Sequence, residues 1–168
     1  GGFAADMTGS KASHLAAWCR RTGRAFTRFD FEGHGASSGS FAEGSIGRWR
    51  DNALRVIDEV TRHRCDLVGS SMGGYVAATA SHTLNPMGLF LIAPALFMLG
   101  YPPDTPPRAG LAEVVHGWAD DVIPVEHSWR FTQRHRLRLH ALAGDHTLNA
   151  QLPVLERLFE SFLGELRA

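Results

Sequence analysis

Residues 88–93 (GLFLIA) form a run with no polar side chain, closed by Pro94. A strand with one wet face alternates apolar and polar residues. A short run that never alternates describes a strand covered on both faces. Covering both faces takes helices on either side of a sheet, and that arrangement goes with parallel strands. The rest of the chain supplies matching pieces. Strand-like runs at 25–29 (AFTRF), 65–68, 88–93, 111–116 and 137–142 are separated by helical patterns. The last run alternates, with Arg136, Arg138 and His140 facing one way, as on an edge strand.

The helical patterns are equally readable. Ser10 is placed to cap a helix over 11–21, with Leu15, Trp18 and Cys19 on one face. Ser45 is placed to cap another reaching about His63, its apolar positions Ile46, Trp49, Ala53, Val56, Ile57 and Val60 recurring at three and four. Residues 72–81 are small enough for a helix that sits close on a sheet, and 125–133 predicts a shorter one. Residues 149–166 predict the last, buried through Leu152, Leu155, Leu158, Phe159 and Phe162, with Pro153 tolerated in its first turn. The expectation is one α/β domain over residues 1–168, with a mostly parallel sheet of about five strands flanked by helices. Four prolines in 101–110 predict a surface loop, so any cap, at about 94–110, would be minimal.

Composition excludes several function classes. Seventeen basic and seventeen acidic residues leave a net charge of zero, which provides no field for nucleic acid or an anionic membrane surface. The basic run at Arg130, Arg134, His135, Arg136 and Arg138 reads as a solvated helix end and edge strand. The longest uncharged apolar stretch, 86–100, is too short and too broken by Pro94 to span a bilayer. Two cysteines form neither a disulfide framework nor a zinc spacing, and Cys19 and Cys65 read as buried thiols of a reducing compartment. No secretory signal opens the sequence, so a cytoplasmic location is expected. Sixteen of the seventeen basic residues are arginine, a usage that suits a GC-rich bacterial genome. Nine histidines give no H-x-x-x-H pair on a helix, and neither metal nor cofactor is expected. His34 and His116 are expected to make loop hydrogen bonds.

The chemistry centres on Gly69-Ser70-Ser71-Met72-Gly73-Gly74, which has the form G-x-S-x-G around Ser71. It follows a predicted strand and opens a predicted helix, the context in which this motif holds a nucleophile on a sharp turn. Side chains at Gly69 or Gly73 would clash with the neighbouring elements, and the helix N-terminus aims free N–H groups at developing negative charge. Ser70 is a poor rival, because Val68 and Met72 flank it at two residues. Two further segments follow strands: 116–124 (HGWADDVIP), with Asp120, and 144–146 (GDH), with His146. All strands of a parallel sheet end on one side, so these side chains reach one rim. The order Ser71, Asp120, His146 is that of nucleophile-elbow hydrolases.

With these motifs in hand, the chain resembles the α/β-hydrolase family over nearly its whole length. The carriers are Gly2-Phe3, the stretch 28–39 (RFDFEGHGASSG), 69–74, 117–124 and 144–146. The 28–39 stretch, Met7 and the helix start Gly9-Ser10-Lys11-Ala12 look most like the branch containing mitochondrial acyl-protein thioesterases and acyl-glucuronide esterases. The resemblance implies Ser71 as nucleophile, His146 as general base and then acid, and Asp120 as the group that orients His146. The family spacing G-x-x-D-x-x-[VI]-P selects Asp120 over Asp121. The implied oxyanion hole uses the backbone N–H groups of Phe3 and Met72. The implied partner is a small-molecule acyl ester or thioester, cleaved through an acyl-enzyme. A non-catalytic binding module on the same fold, an amidase or peptidase, and a carbon–carbon hydrolase stay open as alternatives.

The apolar stretch after the central strand points to Leu96, Phe97 and Met98 as acyl-pocket wall, with Trp118 and Ile123 on the leaving-group side. No exposed heptad or long edge run specifies an oligomeric state. In this fold an apolar strand precedes the oxyanion turn and lies between the strands at 25–29 and 65–68. Those two cannot close across about 9.6 Å, twice the usual strand spacing, so further apolar residues upstream of Gly1 are expected.

Overall fold

The computed structural model describes residues 2–61, 65–103 and 105–167. In chain order the elements are α1 (Ser10–Arg21), α2 (Ile46–Val60), β1 (Leu67–Ser70), α3 (Met72–Leu84), β2 (Gly88–Ile92), β3 (Leu111–Gly117), α4 (Val125–His135), β4 (Arg138–Leu142) and α5 (Leu152–Glu165), with short 3₁₀ turns at Phe41–Glu43 and Asn149–Gln151. The four strands form one sheet in the order β1-β2-β3-β4, and every pairing is parallel.

Every residue of β2 is buried, as its unbroken apolar run requires. Alternate side chains serve opposite layers. Phe90 and Ile92 pack with Leu15 and Trp18 of α1 and with Phe159 and Phe162 of α5. Leu89 and Leu91 pack on the other side, with Tyr75 and Ala77 of α3 and Phe131 of α4. A third cluster, Phe31, Trp49, Ala53, Met72 and Val76, ties the 29–41 loop to α2 and α3. Among the described residues β4 pairs only with β3 and is an edge strand, as its alternation predicts.

Several expectations need correction. The sheet described has four strands, not five, because residues 25–29 are extended but join no ladder. A strand needs a partner's N–H and C=O groups, and β1 pairs only with β2. The extended segment is held by other means. Arg28 Nη1 donates to the Met7 carbonyl at 3.0 Å and to Ser13 Oγ at 2.9 Å, while Phe26 packs against the α1–α5 core. Residues 25–29 and β1 do not pair with one another. An apolar groove of about 150 Å³, open to solvent, lies between them.

Ser10 is also misread as a cap. The cap position is Gly9, without a side-chain bond, and the Ser10 hydroxyl donates to Asn149 Oδ1. Ser45 does cap α2, accepting from the Arg48 amide. α2 stops at Val60, with Thr61 already extended, short of the expected end at about His63, which itself lies outside the described residues. Cys19 is buried and Cys65 only half-buried. No helix or strand occurs among the described residues of 93–110. That loop is strapped to α3 by Tyr75 Oη donating to the Pro102 carbonyl at 2.9 Å and the Arg108 amide donating to Ser81 Oγ at 2.9 Å.

Candidate active site

β1 hands directly to α3 through Ser71, whose backbone sits at φ 55°, ψ −125°. A non-glycine residue there costs on the order of 1–3 kcal/mol, so its surroundings must enforce it. The Ser71 amide donates to the Ile92 carbonyl at 3.0 Å, and its own carbonyl accepts from Ala95 and Gly74 at 2.9 Å each. Gly69 is indispensable to the turn. A Cβ there would overlap the Gly73 carbonyl and lie 2.7 Å from Gly74 Cα.

The loops after β3 and β4 are zipped together. The Trp118 amide donates to the Leu142 carbonyl at 2.8 Å and the Ala119 amide to the Gly144 carbonyl at 2.9 Å. This brings Asp120 and His146 to the end of the sheet where Ser71 stands. His146 Nε2 lies 3.2 Å from Ser71 Oγ, and His146 Nδ1 lies 2.8 Å from Asp120 Oδ2. A slightly long serine contact is normal for a site without substrate. From α1, Lys11 Nζ donates to the His146 carbonyl at 2.9 Å. Burial pulls the Lys11 ammonium below its ordinary pKa, against the opposing charges of Asp120 and Asp145.

The Asp120 side chain is fully buried and fully bonded. Its Oδ1 accepts from the amides of Val122 at 2.9 Å and Ile123 at 2.8 Å. Its Oδ2 accepts from His146 and, at 3.0 Å, faces Nε2 of His116. Burial pushes its pKa up. The Ile123 amide, His146 and the Val122 amide outweigh that push and hold the carboxyl below the usual range. Asp121 is exposed to solvent. Asp145 caps its own turn, accepting at Oδ1 from Thr147 and Leu148.

The N-terminal turn lies against the serine: a Cβ on Gly2 would stand 3.6 Å from Ser71 Cβ. The turn closes through the Ala5 amide donating to the Gly2 carbonyl at 3.2 Å, with Ala4 at φ 53°. It is anchored by the Met7 amide on Asp30 Oδ1 at 2.6 Å, while Asp30 Oδ2 accepts from Ala36. The Phe3 ring is exposed and packs edge-on to Phe41. Across from it, Met72 begins α3, and the leading amides of a helix have no carbonyl one turn back. Both backbones expected to face an oxyanion therefore border Ser71.

The pocket residues divide. Leu96 and Ile123 are each 1% exposed; Leu96 packs in the core with Leu91 and Phe131, and neither presents surface to a substrate here. Phe97 and Met98 are half-buried, with Phe97 under the Arg130 guanidinium at 4.5 Å. Trp118 stands 63% exposed on the rim. His116 lies in β3 with no exposed surface and, as expected, bonds to a loop, through the Ile123 carbonyl; it also lies 3.0 Å from the Asp120 carboxylate, which was not expected. Its position four residues ahead of Asp120 is the only hint the sequence carries.

Comparison with known proteins gives a consistent picture. The family described as serine aminopeptidase, S33, matches residues 6–149. The rat mitochondrial palmitoyl-protein thioesterase ABHD10 is 40% identical over 80 residues, 48% of this chain and 27% of the rat protein. The human protein of the same name is 38% identical over 80 residues, covering 48% and 26%. The matched stretches thus span only about a quarter of those relatives. Among solved structures, mouse alpha/beta hydrolase domain-containing protein 10 superposes with a TM-score of 0.86 at 25% identity, covering 98% of this chain and 88% of that one. A Xanthomonas campestris α/β serine hydrolase without a lid superposes at 0.80 and 22% identity, covering 95% and 74%, and shares the fold.

Proposed function

The chain belongs to the α/β-hydrolase family of serine hydrolases matched as serine aminopeptidase, S33, and from that premise we propose that it cleaves carboxylic ester or thioester bonds of small to medium acyl groups through an acyl-enzyme on Ser71. One observation carries this reading: a single imidazole, His146, bridges the elbow serine and a buried, saturated carboxylate. A binding module has no use for that alignment.

The reaction runs as two acyl transfers. Ser71 Oγ attacks the carbonyl carbon while His146 Nε2 takes its proton, and Asp120 stabilises the imidazolium without accepting that proton. The carbonyl oxygen becomes an oxyanion facing the amides of Phe3 and Met72, each worth about 3 kcal/mol in the transition state. Collapse expels the alcohol or thiol, which leaves with the proton from His146. Water then attacks the acyl-serine by the same route, releasing the acid and restoring the hydroxyl.

The thioesterase names of the mammalian relatives support an acyl substrate. The family's description as an aminopeptidase favours a second reading, an amide or peptide bond. A panel of matched oxygen esters, thioesters and amides separates the two. Ser71→Ala is expected to abolish turnover of p-nitrophenyl butyrate in a folded protein, and a fluorophosphonate is expected to label the wild type stoichiometrically at Ser71. Full activity in the variant, or no labelling, rules out the nucleophile. The balanced net charge fits an uncharged substrate, and two free cysteines suit a reducing compartment such as the cytoplasm.

A further inference from the structure

His116 lies inside β3, four residues ahead of Asp120, with no exposed surface. Its Nε2 is 3.0 Å from Asp120 Oδ2 and 3.0 Å from the Ile123 carbonyl oxygen. Both neighbours only accept, so Nε2 carries a hydrogen. Its Nδ1 is 2.7 Å from Oγ of Ser128, a fully buried residue of α4. A hydroxyl can donate there, so a neutral ring is fully satisfied. Burial lowers the pKa of this imidazole, with the His146 charge acting in the same sense and the Ile123 carbonyl and Asp120 opposing it. With His116 in place, Oδ2 of Asp120 accepts from His146 and lies 3.0 Å from His116 Nε2, whose single hydrogen it shares with the Ile123 carbonyl, while Oδ1 accepts from two amides. Turning the carboxylate would break all four contacts.

We propose that His116 is a positioning residue of the hydrolytic site: an Nε2-protonated, neutral imidazole, its tautomer set by Ser128, that holds the Asp120 carboxylate toward His146 and weakens its pull on the His146 proton. This role depends on Ser71, His146 and Asp120 acting as proposed above. The ionisable groups that bear on the pair are few. His146 and, from α1, Lys11 face Asp120; Asp145 acts on Lys11; α4 presents the Ser128 hydroxyl to His116. Without the His116 donor, Asp120 becomes a stronger acceptor toward His146. The imidazolium of His146 is then stabilised, and a higher pH is needed to free it as a base.

The test compares His116→Met, which removes the donor, with His116→Gln, whose side-chain amide can restore it. Hydrolysis of p-nitrophenyl butyrate is followed across pH and normalised to sites titrated by a fluorophosphonate. For His116→Met, kcat per titrated site falls about tenfold, the loss of one hydrogen bond to a charged group. KM stays within about twofold, because His116 does not touch substrate. The acidic limb of kcat/KM moves up by about half to one pH unit. His116→Gln recovers most of both losses, and Ser128→Ala shifts the limb in the same direction by less. An unmoved limb, or a glutamine variant no better than methionine, reduces His116 to core packing and overturns the proposal. If the His116 variants do not fold, the wild type still decides. Imidazole nitrogen NMR near neutral pH is expected to show Nε2 protonated and Nδ1 bare, and the opposite tautomer or an imidazolium overturns the role. Fluorophosphonate labelling of the wild type tests the hydrolase reading separately from that tautomer.

Discussion

Asp120 and Asp121 are chain neighbours, yet only Asp120 turns its carboxylate inward, where two amides and two imidazoles meet it. Asp121 is left in water. Asp120→Asn removes the charge that steadies the His146 imidazolium, and kcat is expected to fall by about four orders of magnitude. Asp121→Asn is expected to change kcat by less than about twofold. Ester turnover per titrated site checks both, and the reverse ranking means the loop is misassigned. Stability carries a matching signature. The Asp120 carboxyl is held below its unfolded value of 3.8, so its contribution is complete above that pH. It is lost as pH falls toward the lower folded value. Acid denaturation followed below about pH 4 is expected to flatten in Asp120→Asn. Residue identity and order made this triad legible. For His116 they gave only its spacing of four from Asp120, because nothing local says that a β3 side chain meets a carboxylate beyond the strand's end.

Glycine shows how the same residue acts differently in different elements. At Gly69 an added methyl runs into the Gly73 carbonyl and Gly74 backbone, so α3 would have to move away from β1. Gly69→Ala is expected to destabilise by about 1–3 kcal/mol and to displace Ser71 with the helix. Within α2, a Cβ on Gly47 meets nothing within 4 Å. Gly47→Ala is expected to stabilise by about 0.4–1 kcal/mol through a less flexible unfolded chain. Urea denaturation of the two variants checks the contrast, and a neutral Gly69→Ala means the elbow is looser than drawn. The elements themselves were legible wherever a periodicity ran long enough. The non-alternating run of β2 predicted two covered faces, and Phe90 and Leu91 occupy opposite ones. Boundaries were less legible: Ser10 looks like a cap but bonds across to Asn149, a residue 139 positions away.

For the whole molecule, the largest opportunity lies between residues 25–29 and β1. The groove there is apolar, about 150 Å³, and lined by Leu15, Phe26, Phe29, Leu67 and Val68 among others. Among the described residues, no strand lies beside the outer edge of β1 in the sheet. An apolar β-forming segment joined ahead of Gly1 can run between the two and bond to both. It is expected to raise Tm by about 4 °C or more, where a charged segment of equal length does not. Thermal unfolding of the two extended proteins decides. Equal Tm values mean the groove does not take a strand. Elsewhere, the described residues of 93–110 form no helix or strand, and the loop is strapped to α3 by two hydrogen bonds.

The sequence by itself determined the α/β class, the parallel order of the elements and the succession Ser71, Asp120, His146. Periodicity, turn chemistry and the position of a residue just after a strand are all properties of neighbouring residues. Tertiary structure alone decided that 25–29 joins no ladder, that Lys11 holds the His146 carbonyl, that Leu96 and Ile123 are core and that His116 lies on Asp120. Each of these depends on which distant segment arrives opposite a given side chain, and on whether a backbone edge finds its partner, which no local pattern encodes.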